Sequence, residues 1–181
     1  IVLLVSDLNN NLPQHEQIKI FKKDDGFIDS LILKNQGISI QDEIFYLLSK
    51  GYKKLNELKN QGEDLQSIGS KISFRLGVSA NYFLEIAKIR SFRKLWNALL
   101  NKEGAAPDSS LIISESAVRY YSTTDLHNNI LRSTLMAMSS LLGSVDAVSL
   151  SSFDYWRNKK DPGALRWALN INTLLKYESY I

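Results

Sequence analysis

Cysteine is absent from this chain. That excludes disulfides, thiolate nucleophiles and cysteine metal sites. Histidine is scarce, with only His15 and His127 present. No run of eighteen apolar residues occurs, so no membrane-spanning helix is expected. The opening IVLLVSD is too short for the apolar region of a signal peptide and lacks a basic leader. No glycine-rich phosphate loop is visible. Nor is there a block of one charge: the pairs Lys22-Lys23, Lys53-Lys54 and Lys159-Lys160 are separated by acidic residues, so no stripe tracks a phosphate backbone. These absences fit a cytoplasmic protein that binds neither nucleic acid nor membrane. The chain begins at Ile1, inside a strand-like run, and reads as a fragment or a processed chain.

What is present suits one globular domain. The 181 residues are 44% hydrophobic and 23% charged, with a net charge of +3. Ile1–Val5 is a continuous apolar run, as in a strand buried on both faces. Residues 8–29 are polar and irregular. Ser30–Leu33 is a second strand candidate. Residues 41–60 form an amphipathic helix with Ile44, Leu48, Tyr52 and Leu55 near one face, and Gly62 is placed to end it. Ile72–Leu76 is a third strand, and the long helix Tyr82–Lys102 follows it. A fourth strand begins at Leu111–Ile113. Thr124-Asp125 supplies an N-cap signal for a helix reaching Leu142, whose apolar sequence predicts enclosure by neighbours. Ala147–Leu150 is a fifth strand, and Gly163–Tyr177 is the last helix.

Strands alternating with helices predict a parallel sheet with helices outside. A closed β/α barrel takes about 250 residues. The chain therefore predicts a partial TIM-type barrel of the last four to five units, with a doubly wound open sheet as the alternative. Open end strands would favour self-association.

The segment SFRLGVSANYFLEIAKIRSFRKLW carries the strongest motif. Phe83, Glu85, Ile86, Ala87, Lys88, Arg90, Arg93, Leu95 and Trp96 match the pattern F-x-E-I-A-K-x-R-x-x-R-x-L-W. Further matches are Tyr46-x-x-x-x-Gly51, Asp125-x-x-Asn128-Asn129-x-x-Arg132-x-Thr134, Phe153-Asp154 and Arg166-x-Ala168-x-Asn170. In the last motif Leu169 replaces a second arginine. Together they resemble the barrel domain of the methylmalonyl-CoA mutase family. The resemblance covers 31–181, and 1–30 is a poorly aligned segment holding one strand.

The resemblance implies a barrel of a family that isomerises methylmalonyl-CoA and succinyl-CoA with adenosylcobalamin. It also implies that two family histidines are replaced, by Ile32 and Ile113. Isoleucine neither transfers a proton nor hydrogen-bonds a thioester carbonyl. Glu115 stands where the family has glutamine, and an acid there disfavours a carboxylated acyl group. Neither histidine of this chain lies in the D-x-H-x-x-G pattern of the cobalamin module. The pattern is most like that of the family's non-catalytic small subunits, which implies a catalytic large subunit as partner, with adenosylcobalamin on that partner and none bound here. No catalytic or metal-ligating residue is assigned. By resemblance, Lys71 and Ser73 take the positions of a CoA-contacting arginine and a strand serine, so an acyl-CoA-binding domain or a divergent isomerase are the rival readings. Asp125, Asn128, Asn129 and Arg132 read as a helix cap and loop tie. Glu85, Lys88 and Arg93 read as a helix-to-barrel network, and Arg119-Tyr120-Tyr121 reads as a loop after a strand.

Overall fold

The computed structural model describes residues 2–5, 26–107, 109–157 and 161–179. In chain order the elements are β1 (Val2–Val5), β2 (Phe27–Asp29), α1 (Leu31–Gln36), α2 (Ile40–Asn60), α3 (Leu65–Ile68), β3 (Ser73–Val78), α4 (Tyr82–Lys102), β4 (Leu111–Ser116), α5 (Asn128–Leu142), β5 (Ala147–Leu150) and α6 (Pro162–Tyr177). The five strands form one sheet in the order β1-β5-β4-β3-β2, and every pairing is parallel.

Local chemistry sets the helix ends. Ser39 caps α2, its Oγ accepting from the Asp42 amide at 3.1 Å, and Asp42 and Glu43 place negative charge in the first turn. Gly62 follows the helix with φ 81°, a left-handed conformation that favours glycine. Asp161 caps α6, accepting from the Gly163 amide at 2.8 Å, with Pro162 in the first turn.

Alternation along the strands divides the sheet into two faces. Phe74, Leu76, Val78, Ile112, Val148 and Leu150 share one face and are buried. Phe74 meets Phe92 and Trp96 of α4 edge-on, each with ring centroids 4.9 Å apart. A Cβ on Gly51 of α2 would lie 2.8 Å from the Trp96 ring and 2.9 Å from Phe74. The glycine of the Tyr46-x-x-x-x-Gly51 pattern is therefore what lets α2 approach this cluster. Helix α2 touches α4, α4 touches α5, and α5 touches α6. The helices thus form one layer on one side of the sheet. A doubly wound sheet would divide them between two sides, so the fold is a partial β/α barrel.

Two expectations change. The strand expected at Ser30–Leu33 lies earlier, at Phe27–Asp29, and Leu31–Gln36 is a helix. The Asp29 carboxylate accepts from the Leu31 amide at 2.9 Å and turns the chain off the sheet. Helix α5 starts at Asn128, beyond the Thr124-Asp125 signal, and its outer face is open, with Leu131 65% exposed. None of the described helices is long and apolar enough to cross a membrane.

Candidate functional site

The second face of the sheet corresponds to the lumen of a β/α barrel. Register places Asp29, Arg75 and Ile113 side by side on β2, β3 and β4, with Glu115 two residues further along β4. The Arg75 guanidinium joins the two carboxylates. Its Nη1 donates to Glu115 Oε2 at 2.9 Å, and its Nη2 donates to Asp29 Oδ2. Burial opposes the Arg75 charge, but hydrogen bonding to Asp29 and the nearby Glu115 and Asp29 charges outweigh it and hold its pKa above the ordinary range. Ser149 lies beside Glu115 in register, and its buried Oγ has no hydrogen-bond partner among the described residues.

A second charged group lies where the strands end. Lys34 on α1, Glu43 on α2, and Glu85 and Lys88 on α4 are at most 3% exposed at their side chains. Lys34 Nζ lies 3.1 Å from Glu85 and 3.5 Å from Glu43, while Lys88 Nζ lies 3.0 Å from Glu43 and also contacts Glu85. Two serines complete the shell: Ser30 Oγ donates to Glu43 at 2.7 Å, and Ser79 donates to Glu85 from both its amide, at 3.1 Å, and its hydroxyl, at 2.5 Å. Lys88 also donates to the Gly77 carbonyl. A Cβ on Gly77 would sit 2.5 Å from Lys34 Cβ, so glycine is what lets α1 close against the end of β3. Burial raises the Glu85 pKa, but the charges of Lys88 and Lys34 and the hydrogen bonds outweigh it, leaving Glu85 below the usual carboxylate range. Lys34 is raised: burial opposes its charge, and Glu85 and Glu43 more than offset that. Two positive and two negative charges balance, so the cluster offers no excess charge to a ligand.

The remaining motif residues hold loops and helix ends. Asn129 accepts from the Ser122 amide at 2.7 Å and donates to the Ser122 and Phe153 carbonyls, each at 2.9 Å. It clamps the β4–α5 loop to the β5–α6 loop. Tyr121 bridges the same region, its hydroxyl 2.7 Å from Ser133 Oγ and donating to the Ser151 carbonyl at 3.1 Å. Asp154 accepts from the Asp161 amide at 2.7 Å and fixes the start of α6. Arg90 donates twice to the Leu142 carbonyl, at 3.0 and 2.8 Å, satisfying the end of α5. Arg93 bonds the Ser144 carbonyl at 2.8 Å and Asp146 at 2.9 Å.

The structure separates the sequence-predicted positions. Ile32, on α1 beyond the end of β2, is 65% exposed, whereas Ile113 is fully buried in β4. Lys71 and Ser73 lie at the opposite, N-terminal end of β3, where Lys71 pairs with Glu63 in an exposed contact. His127 precedes α5 and stacks on Phe153 with ring centroids 5.3 Å apart; His15 lies outside the described residues. Asp125-Leu126-His127 shares the D-x-H start of the cobalamin pattern but has Ile130 in place of its glycine. Among the described residues no group of three His, Cys, Asp or Glu could hold a metal ion. Sequence reasoning missed the pairing of Arg75 with Asp29 and Glu115. The available signal was a lone arginine inside the apolar run Ser73–Val78.

The family model for methylmalonyl-CoA mutase matches residues 10–181. A methylmalonyl-CoA mutase small subunit of Porphyromonas gingivalis is 31% identical over 157 residues, covering 84% of this chain and 25% of that protein. A small subunit of Streptomyces virginiae is 28% identical over 162 residues, covering 85% of the chain and 25% of that protein. A large subunit of Propionibacterium freudenreichii subsp. shermanii is 27% identical over 150 residues, covering 81% and 21% respectively. The chain thus spans about a quarter of the length of the small-subunit relatives it matches. With the parallel half-barrel and its signature helix in place, a match of this extent means that the chain belongs to the methylmalonyl-CoA mutase family.

Proposed function

We propose that the chain is part of the barrel of a non-catalytic small subunit and supports a catalytic large subunit that interconverts methylmalonyl-CoA and succinyl-CoA. The observation that carries this reading is the lumen face. Arg75 draws the carboxylates of Asp29 and Glu115 into ion pairs across three strands. Those carboxylates are then committed to the protein's own guanidinium and are poor general acids or bases for a bound acyl group. The aligned isoleucines, Ile32 and Ile113, remove the imidazoles that the family resemblance would place at those positions. The residues present do not suit cobalt ligation either, since the His127 ring is stacked on Phe153 and its motif lacks the glycine. Adenosylcobalamin is assigned to the partner, where it would supply the radical chemistry.

Co-expression with a large subunit from the same organism, followed by size-exclusion chromatography, tests the partnership. Co-elution as one complex is expected. Separate elution with both proteins folded would overturn it. Mutase turnover by this chain alone, with adenosylcobalamin added, would overturn the non-catalytic assignment.

A second reading keeps an acyl-CoA contact at Lys71 and Ser73. Their shared place at the N-terminal end of β3 favours it, because a ligand there need not meet the Arg75 ion pairs further along the strand. Calorimetric titration with CoA esters should give saturable heat if this holds. Absence of heat at high ligand concentration removes it.

A further inference from the structure

We infer that the groove between α4 and the α5–β5 turn is a binding site for the phosphate group of a small molecule. The groove has a volume of about 600 Å³ and is lined by Arg90, Arg93, Lys94, Asn97, Asn101 and Ser144, among others. That volume is within the usual range for small-molecule sites, about 300–1,000 Å³. Its polar residues occupy one stripe of α4, since positions 90, 94, 97 and 101 recur at helical spacing on one face. Gly143 and Ser144 form the facing wall.

The charge of the groove is one-sided. Three cations line it, and among the described residues no carboxylate does. Arg93 contacts Asp146 at 2.9 Å, and Asp146 also accepts from the Ile112 amide at 2.8 Å, so one of the three charges is neutralised and Arg90 and Lys94 carry the excess. Arg90 uses its Nε and one Nη2 hydrogen on the Leu142 carbonyl, which offsets the partial negative charge at the end of α5. A guanidinium carries five N–H donors, so the rest of that fork stays available. Lys94 forms no ion pair with a described residue. A point charge from Lys94, an Arg90 fork held in place by a carbonyl, and the Asn101 amide on the same helix face are a donor set that suits a phosphate. The site is on the outer surface of the helix layer, away from the lumen face, and is independent of the mutase reading.

Amide NMR of the 181-residue chain tests this, with inorganic phosphate as the probe and sodium chloride at matched ionic strength as the control. Phosphate should give saturable shifts at Asn97, Asn101 and Ser144 that chloride does not reproduce. ADP should shift the same amides and adenosine should not. Lys94→Met, on an exposed position, should weaken phosphate binding at least about fivefold while leaving the melting temperature unchanged, as expected for loss of one charge-assisted contact. Equal shifts in chloride, equal shifts with adenosine, or wild-type affinity in the folded Lys94→Met chain would each overturn the assignment.

Discussion

Replacing Lys88 with methionine should unbalance the charged cluster under α1, and the size and pH dependence of the effect can be worked out from the contacts. In the native chain Lys34 and Lys88 face Glu43 and Glu85, and all four side chains are nearly or fully buried. Methionine matches the length of the lysine stem and fills the space, so little of the change arises from a cavity. What is lost is the ammonium that touches both carboxylates and the Gly77 carbonyl. The cluster then carries a net buried negative charge. Removing one partner of a buried ion pair costs about 3–5 kcal/mol, which is a large share of a typical domain's stability of about 5–15 kcal/mol. The pH dependence adds a sharper test. With only Lys34 left, burial dominates and at least one carboxylate rises above its ordinary value of 4.5. A raised carboxylate pKa means the folded state takes up a proton before the unfolded state does, so the variant gains stability as pH falls from 7 toward 5. In the native chain Glu85 adds no such slope over that interval, because it is shifted the other way. Urea unfolding of both proteins at pH 5, 6 and 7 reads this directly. The double variant Lys88→Met with Glu43→Gln restores neutrality and should recover part of the loss while abolishing the pH slope. A loss below about 1 kcal/mol at pH 7 with no slope would show that the cluster is hydrated and that the burial argument fails.

Three further outcomes are expected. Trp96 is 1% exposed, donates from Nε1 to Ser110 at 2.9 Å and meets Phe74 edge-on; Trp96→Ala should cost about 3–5 kcal/mol in chemical unfolding, and a loss under about 1 kcal/mol would mean α4 buries a different face. Asn129→Ala should cost at least about 2 kcal/mol, because the Ser122 amide and the Phe153 carbonyl both lose their tie; hydrogen exchange should quicken in the β4–α5 and β5–α6 loops together, and a change confined to one loop would contradict the clamp. In the native chain Glu85 is depressed below 4.5, so its contribution is present above that pH and is lost as pH falls through the depressed value. Lys34 is raised above 10.5, so its contribution is present below that pH and is lost as pH rises through the raised value. A melting-temperature profile should therefore be level between these limits as far as these two groups are concerned, and a maximum confined to mildly acidic pH would refute the pairing.

Legibility in the sequence followed the range of the interactions. Helix α4 could be bounded at Tyr82–Lys102 because an element of 21 residues repeats its apolar stripe several times. Strand β5 could be read at Ala147–Leu150 because Ala147, Val148 and Leu150 leave a short, mostly apolar run interrupted only by Ser149. Strand β2 was displaced because three residues are too few to reveal a period, and the side-chain turn at Asp29 ends it before the apolar Leu31-Ile32-Leu33. That run then packs as a helical turn. The motif helix was recognisable, but the reasons for its residues were not. Lys88 matters because of Glu43, a residue 45 positions away on another helix, and no spacing along one element encodes that. Arg75 faces Glu115 and Asp29 only because parallel register aligns three strands. The groove along Arg90, Lys94, Asn97 and Asn101 was hidden for the same reason, since its second wall comes from the far end of α5.

The pairing of β1 with β5 has a consequence for how the chain folds. Strands β2 to β5 follow one another in the sheet, so each new strand docks on the one just formed and each loop closed is modest. The seam is different, for Val2 aligns with Ala147 and Val5 with Leu150. Its formation joins residues as far apart as Val2 and Ala147, after the intervening strands and helices have removed most of the search. The seam should therefore contribute little to the folding transition state. Changes that weaken it should speed unfolding and leave the refolding rate nearly untouched, placing kinetic lifetime in four residues at one edge of the sheet.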